Sequence, residues 1–226
     1  MKSPYAAPIR IRQWAIGWVL LLFTAVTHAQ TAPAASSAEP APAASRTVLV
    51  MGDSLSAAYG LRADEGWVAL TAQRVAREFP GRRVVNASIS GETTAGGSAR
   101  IVAEVLRHKP DVVVIELGAN DALRGLPLRE MRRNLARMIG ASQHVGAKVL
   151  LLGMRMPPNL GAEYNQGFER VYRDLAKLFD VELLPFFLEP VARDRASFQD
   201  DNLHPVADAQ DEIRDHVWTA LRPLLR

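Results

Sequence analysis

An α/β fold with a parallel sheet covered by helices on both faces is predicted from two observations. Five short, nearly continuous apolar runs recur along residues 46–226, and between them lie segments whose apolar residues repeat at helical spacing. Continuous apolar runs suit strands buried on both faces, as in parallel sheets. Alternation of strand and helix supplies the crossovers that such sheets require. The predicted architecture is therefore three-layered, α/β/α, around a central, mostly five-stranded parallel sheet. The pattern carries no information on strand order.

Taken in order, strands are predicted at 47–51, 83–87, 112–117, 148–153 and 181–184. Trp67, Leu70, Val75 and Phe79 mark a helix between the first two, and Ile101, Val102, Val105 and Leu106 mark the next. Met131, Leu135, Met138 and Ile139 form a third set. Phe168, Val171, Tyr172, Leu175 and Leu178 form a fourth, and Ile213, Val217, Leu221 and Leu224 close the chain. No internal repeat interrupts the series, so 46–226 reads as one domain. Its 181 residues are ample for a single hydrophobic core.

The first 45 residues are of another kind. Residues 1–29 carry Lys2, Arg10 and Arg12, no acid, a 13-residue apolar run from Trp14 to Val26, and small residues at Thr27 and Ala29. That is the layout of a cleaved signal peptide, and the run is short for a membrane span, which needs roughly 20 apolar residues. Residues 30–45 are rich in Ala, Pro and Ser, with Glu39 the only charge, and read as a flexible linker. The expected location is periplasmic or secreted.

Charge and cysteine content then exclude several classes. The three basic residues of 1–29 account for the whole excess of 27 Lys and Arg over 24 Asp and Glu. The remainder is neutral, so the basic balance gives no support for nucleic-acid binding. The chain has no cysteine, which removes disulfides, thiolate zinc sites, cysteine nucleophiles and lipoprotein anchoring.

Candidate chemistry collects at the carboxyl ends of the predicted strands, where α/β proteins bind ligands. The first strand runs into Gly52-Asp53-Ser54-Leu55-Ser56. Ser54 could cap a helix, or it could be a nucleophile if a base is available. No glycine lies two residues after it, which disfavours the Gly-x-Ser-x-Gly elbow. Of five histidines, His28 falls in the signal, His108 and His144 at helix ends, and His216 inside the last helix. His204 alone stands in a polar loop, before Pro205 and three residues after Asp201. A nearby acid can orient its Nδ1–H. Either Asp200 or Asp201 could serve, and the three-residue spacing favours Asp201. A metal site on the same residues lacks a second histidine at ligand spacing. Asn86-Ala87-Ser88-Ile89-Ser90-Gly91 and Gly118-Ala119-Asn120-Asp121 follow the second and third strands. They could be ordinary turns, or they could donate hydrogen bonds to an oxyanion through a glycine N–H and an asparagine amide.

These blocks, in this order, resemble the SGNH, or GDSL, hydrolase family. Gly52 to Ser56 match its first block, Gly91 its second, Gly118 to Asp121 its third, and Asp201-x-x-His204-Pro205 its fifth. The resemblance covers nearly all of 46–226. It is strongest to a branch of periplasmic thioesterases, also described as proteases and lysophospholipases, with an arylesterase-like character. Segments 86–91, 116–125, 183–187 and 199–201 carry that closer likeness. The resemblance implies a flavodoxin-like version of the predicted fold. It implies Ser54 as nucleophile, His204 as base and Asp201 as its orienter. The oxyanion hole would comprise the Ser54 and Gly91 N–H groups and the Asn120 side chain, with no metal or organic cofactor. Asp53 reads as a scaffold residue of the nucleophile turn. In that branch the segment matching 120–128 is a loop over an acyl groove, and 154–160 resembles a substrate-facing loop. Here Ala58 and Ala119 replace common glycines. Leu123, Leu126, Met156 and Pro157 are the candidate substrate-binding residues, with Pro127, Leu128, Met154 and Leu160 as further apolar surface.

The expected function is hydrolysis of acyl esters: acyl thioesters, lysophospholipids or aryl esters. A carbohydrate O-acetyl esterase is the enzymatic alternative, and a catalytically silent lipid- or glycan-binding module of the envelope is the alternative from another class. The expected partner is a small acyl ester or thioester, with no nucleic acid, no stable membrane insertion after signal removal, and a monomeric state.

Overall fold

The computed structural model describes residues 46–226. The expected signal peptide and linker lie outside the described residues. Five parallel strands form one sheet in the order β2-β1-β3-β4-β5. They are β1 (Arg46–Gly52), β2 (Arg82–Asn86), β3 (Val112–Glu116), β4 (Lys148–Leu152) and β5 (Glu182–Leu184). Each predicted strand is present, with ends displaced by a residue where ladder pairing stops before the apolar run does. Val48 to Met51, Val112 to Ile115 and Val149 to Leu152 are all almost fully buried, as strands covered on both faces must be.

The helices lie on both sides of the sheet. On one side α1 (Trp67–Glu78) packs with α6 (Gln210–Leu224). On the other, α2 (Thr94–His108), α4 (Leu128–His144) and α5 (Ala162–Phe179) pack in series, and α3 (Ala119–Leu123) is a single short turn beside α4. Gly97 sets the approach of α2. A Cβ there would collide with Leu117 Cδ1 and stand 3.0 Å from Met138 Cε. Gln210 ties the starts of α6 and α1 together, its Oε1 accepting the Trp67 N–H at 3.0 Å.

Three apolar positions with helical spacing face water. Val102, Leu106 and Leu178 are exposed. The buried stripe of α2 runs through Gly97, Ser98, Ile101 and Val105, and a step of one residue turns a side chain by about 100° away from it. Leu178, three residues after Leu175 and so about 60° round the helix from it, falls beside the buried face of Phe168, Val171, Tyr172, Leu175 and Ala176.

The strand order decides where the site can be. The chain runs from β1 outward to β2, then returns past β1 to β3. Loops leaving the carboxyl ends of β1 and β3 therefore diverge and leave a crevice, where open α/β sheets bind ligands. Ser54 follows β1 and Asn120 follows β3.

Candidate active site

The end of β1 turns sharply. The Ala57 N–H donates to Asp53 O at 2.9 Å and the Tyr59 N–H to Ser54 O at 3.2 Å. The buried Asp53 carboxylate caps this turn, with Oδ1 accepting the Leu55 N–H at 3.0 Å. Ser54 is thereby held at the mouth of the crevice, partly exposed.

His204 comes to it from the far end of the chain. Its Nε2 lies 2.8 Å from Ser54 Oγ, and its Nδ1 lies 2.6 Å from Asp201 Oδ2. An ionised carboxylate can only accept, so Nδ1 carries the proton and Nε2 accepts from the serine hydroxyl. Asp201 Oδ1 also accepts the N–H groups of Leu203 and His204, at 2.9 and 3.0 Å. Desolvation opposes ionisation of Asp201. The bonds from Leu203 and His204 outweigh it and bring the carboxyl down to about 2. The Asp200 side chain takes no part, since only its carbonyl is engaged, by Asn202 Nδ2 at 3.4 Å.

The loop carrying both residues is fastened by Gln199. Its N–H donates to His204 O at 2.8 Å, and its Nε2 donates to Tyr59 O and Pro205 O at 3.0 and 3.1 Å. Phe198 and Pro205 form an isolated antiparallel bridge across the loop's base. The Tyr59 ring rests 4.4 Å from the His204 ring and limits its rotation.

Asn120 sits in the first turn of α3, after Gly118 at φ +132°. A Cβ at Gly118 would meet Met131 Cε at 2.8 Å and run into the Tyr172 hydroxyl, which donates to Leu117 O at 3.0 Å. The turn is pinned to α2 by Asp121, whose carboxylate accepts the Thr94 N–H at 2.8 Å and the Thr94 hydroxyl at 2.5 Å. Asn120 Nδ2 donates to Asp53 Oδ2 at 3.0 Å and to Glu92 O at 3.1 Å. Gly91, at φ +77°, is bracketed between Glu92 and Ile89, whose N–H donates to Gly52 O at 3.0 Å. Arg124 donates to the Gly91 carbonyl at 2.7 Å, which orients that peptide. Among the described residues, neither the Ser54 nor the Gly91 N–H donates a hydrogen bond.

Ser54, Asn120 and His204 line a cavity of about 450 Å³. Much of the rest is apolar: Leu55, Leu123, Met154, Met156, Pro157 and Phe186. Of the candidate substrate-binding residues, Leu123, Met156 and Pro157 line this cavity. Leu126 lies outside this lining, its carbonyl accepting the Tyr164 hydroxyl at 3.4 Å. Among the described residues no group of three or more His, Asp or Glu side chains is placed to hold a metal ion.

Sequence reasoning assigned no individual role to Ser56, Glu116 or Asp121. Glu116 carried a signal all the same, because a carboxylate ends an otherwise wholly apolar strand.

Comparison with known proteins places the chain among relatives of the same fold. Residues 50–211 match the sequence profile of the GDSL-like Lipase/Acylhydrolase family. The chain is 50% identical over 183 residues to the esterase TesA of Pseudomonas aeruginosa, covering 81% of this chain and 91% of that protein. It is 42% identical to the thioesterase 1/protease 1/lysophospholipase L1 of Escherichia coli K12, again over 183 residues, with coverage of 81% and 86%. A crystal structure of TesA superposes with a TM-score of 0.77 at 49% identity, covering 79% of this chain and 99% of that one.

Proposed function

The chain belongs to the GDSL-like lipase/acylhydrolase family and is an acyl-ester hydrolase, and we propose that it works through an acyl-enzyme built on Ser54, His204 and Asp201. The observation that carries this is the pair of contacts through one imidazole, 2.8 Å to Ser54 Oγ and 2.6 Å to Asp201 Oδ2. His204 Nε2 takes the hydroxyl proton as Ser54 Oγ attacks the acyl carbonyl. Asp201 holds the ring and stabilises its charged form. The developing oxyanion is received by the Ser54 and Gly91 N–H groups and by the Asn120 amide. His204 then returns its proton to the departing alcohol or thiol. Water, deprotonated by the same nitrogen, releases the acid and restores Ser54.

The cavity supports an acyl or aryl group as the part of the substrate that is recognised. Its apolar lining suits a hydrocarbon better than a sugar. We therefore propose esters and thioesters with apolar acyl groups, including lysophospholipids and aryl esters, as substrates of a monomeric enzyme. Residues 1–29 would direct it across a membrane and be removed, and 30–45 would form a flexible linker ahead of the hydrolase domain. Among the described residues no helix is long and apolar enough to cross a membrane.

The test is hydrolysis of p-nitrophenyl esters from acetyl to palmitoyl by wild type and Ser54→Ala side by side. Wild type should turn over, with Ser54→Ala inactive and rates favouring chains longer than acetyl. A wild-type preference for acetyl alone would instead favour an O-acetyl esterase. Full activity in Ser54→Ala would end the mechanism.

A further inference from the structure

Beside the nucleophile turn lies a set of buried polar groups that none of these steps uses. Glu116 ends β3 and is only 2% exposed. Its Oε2 accepts the Ser56 hydroxyl at 2.8 Å and the Asp53 N–H at 3.4 Å. The strand register sets Gly52 directly opposite Glu116. A Cβ on Gly52 would stand 2.6 Å from Ser56 Oγ and 2.9 Å from Glu116 Oε2. Glycine at this position is what lets the carboxyl group reach the turn.

Two carboxyl groups, Asp53 and Glu116, are thus buried together. The groups acting on them are Ser56 and Leu55 on the turn, Asn120 from α3, His204 from the loop after β5, and the neutral Tyr172 from α5. Asp121 acts on Tyr172 from α3. No lysine or arginine is among them. Neighbouring carboxylates in such a place cannot both ionise, and one keeps its proton. The hydrogen bonds decide which. Asp53 accepts from the Leu55 N–H and the Asn120 amide, and the charge that His204 gains during the reaction favours the Asp53 anion further. Glu116 accepts one hydroxyl and one long N–H bond.

We propose that Glu116 is a positioning residue that remains protonated in the working enzyme, leaving Asp53 as the ionised acceptor that aims the Asn120 amide. Glu116 touches no substrate and acts through Asp53 and the turn. Burial, reinforced by the Asp53 charge, pushes its carboxyl well above the usual range. Burial also raises Asp53, but the Leu55 and Asn120 bonds restrain it to about 6. The inference rests on the Ser54 mechanism above.

Two readouts test it on the full chain. Infrared difference spectra at neutral pH should contain a protonated-carboxyl C=O band that vanishes in Glu116→Gln. Its absence from wild type would overturn the proposal. In kinetics, Glu116→Asp keeps the acid but withdraws it by one methylene. It should lose kcat by about tenfold or more with KM within about twofold, while Glu116→Gln, a neutral group of the original length, recovers kcat to within about threefold of wild type. Equal loss in both variants, or none in Glu116→Asp, would overturn it. So would a loss in Glu116→Asp that tracks its thermal midpoint alone. Labelling of Ser54 by a fluorophosphonate separates the failures. Without labelling the Ser54 mechanism falls, and with labelling only the role of Glu116 is at stake.

Discussion

Replacing Asn120 by alanine isolates the proposed side-chain donor of the oxyanion site. In the free enzyme Nδ2 donates to Asp53 Oδ2 at 3.0 Å and to Glu92 O at 3.1 Å, so the proposed bond to the oxyanion would replace the one to Glu92 O. The substitution therefore has two separable consequences. Loss of one preorganised donor to the oxyanion typically lowers turnover by about 10²–10³, or ~2.7–4 kcal/mol of transition-state stabilisation. Because the bond strengthens with the developing charge, the loss belongs in kcat and leaves KM nearly unchanged. The second consequence falls on stability. The buried Asp53 carboxylate loses its side-chain donor, at a cost of about 1–3 kcal/mol. Loss of a bond that favours the anion also raises the Asp53 pKa further, since Asn120 is one of the groups holding it down. The assay is steady-state hydrolysis of a p-nitrophenyl ester across pH, with urea unfolding on the same preparations. Turnover within about threefold of wild type would refute the oxyanion role. A rise in KM matching the fall in kcat/KM would instead make Asn120 a ground-state binding residue.

Asp53 titrates from 3.8 in the unfolded chain to about 6 in the fold, so between those values the folded state binds more protons than the unfolded one and stability falls as pH rises. A rise of that order corresponds to a few kcal/mol at most, and the urea-derived stability of Asp53→Asn relative to wild type should climb between about pH 4 and pH 7; a difference independent of pH would refute the assignment. Gly97→Val should cost about 1–3 kcal/mol by overpacking, because its side chain would enter the space of Leu117 Cδ1 and Met138 Cε. An unchanged urea midpoint would show that α2 can withdraw from the sheet without penalty.

The sheet was legible because its strands are buried on both faces, and valine-rich runs such as Val112 to Ile115 admit few other readings. Strand order was not legible, since it depends on which helix crosses which face. Helix faces were legible only to within one residue. Val102 and Leu106 share the spacing of Ile101 and Val105, and only packing against α4 distinguishes the pairs. Ser54, Asp201, His204 and Asn120, which the fold brings to one cavity or one hydrogen-bonded chain, could be singled out because loops at strand ends expose residue types that chemistry requires. Glu116 was missed for the opposite reason. It reads as the polar stop of a strand, and its role depends on a partner 60 residues earlier, Ser56, and on the register that sets Gly52 beside it. Asp200 and Asp201 could be ranked by spacing, but only the fold shows which carboxylate meets the imidazole.

The loop fastened by Gln199 gives this enzyme two distinct ways to fail on heating. Asp201 and His204 belong to neither a strand nor a helix, and their loop is held mainly by the Gln199 bonds, the bridge between Phe198 and Pro205, the Val206 N–H to Ser197 O at 2.9 Å and a Gln210 amide 3.5 Å from Pro205 O. Ser54 and Asn120, by contrast, are rooted in strands whose side chains form the core. Segments with so few buried contacts open at free energies well below that of global unfolding. Residual activity after incubation at high temperature therefore times the departure of this clasp, whereas calorimetry times the melting of the sheet. A substitution that tightens Gln199 or its partners lengthens the working life of the catalyst without moving the calorimetric peak, and one that only improves the core does the reverse.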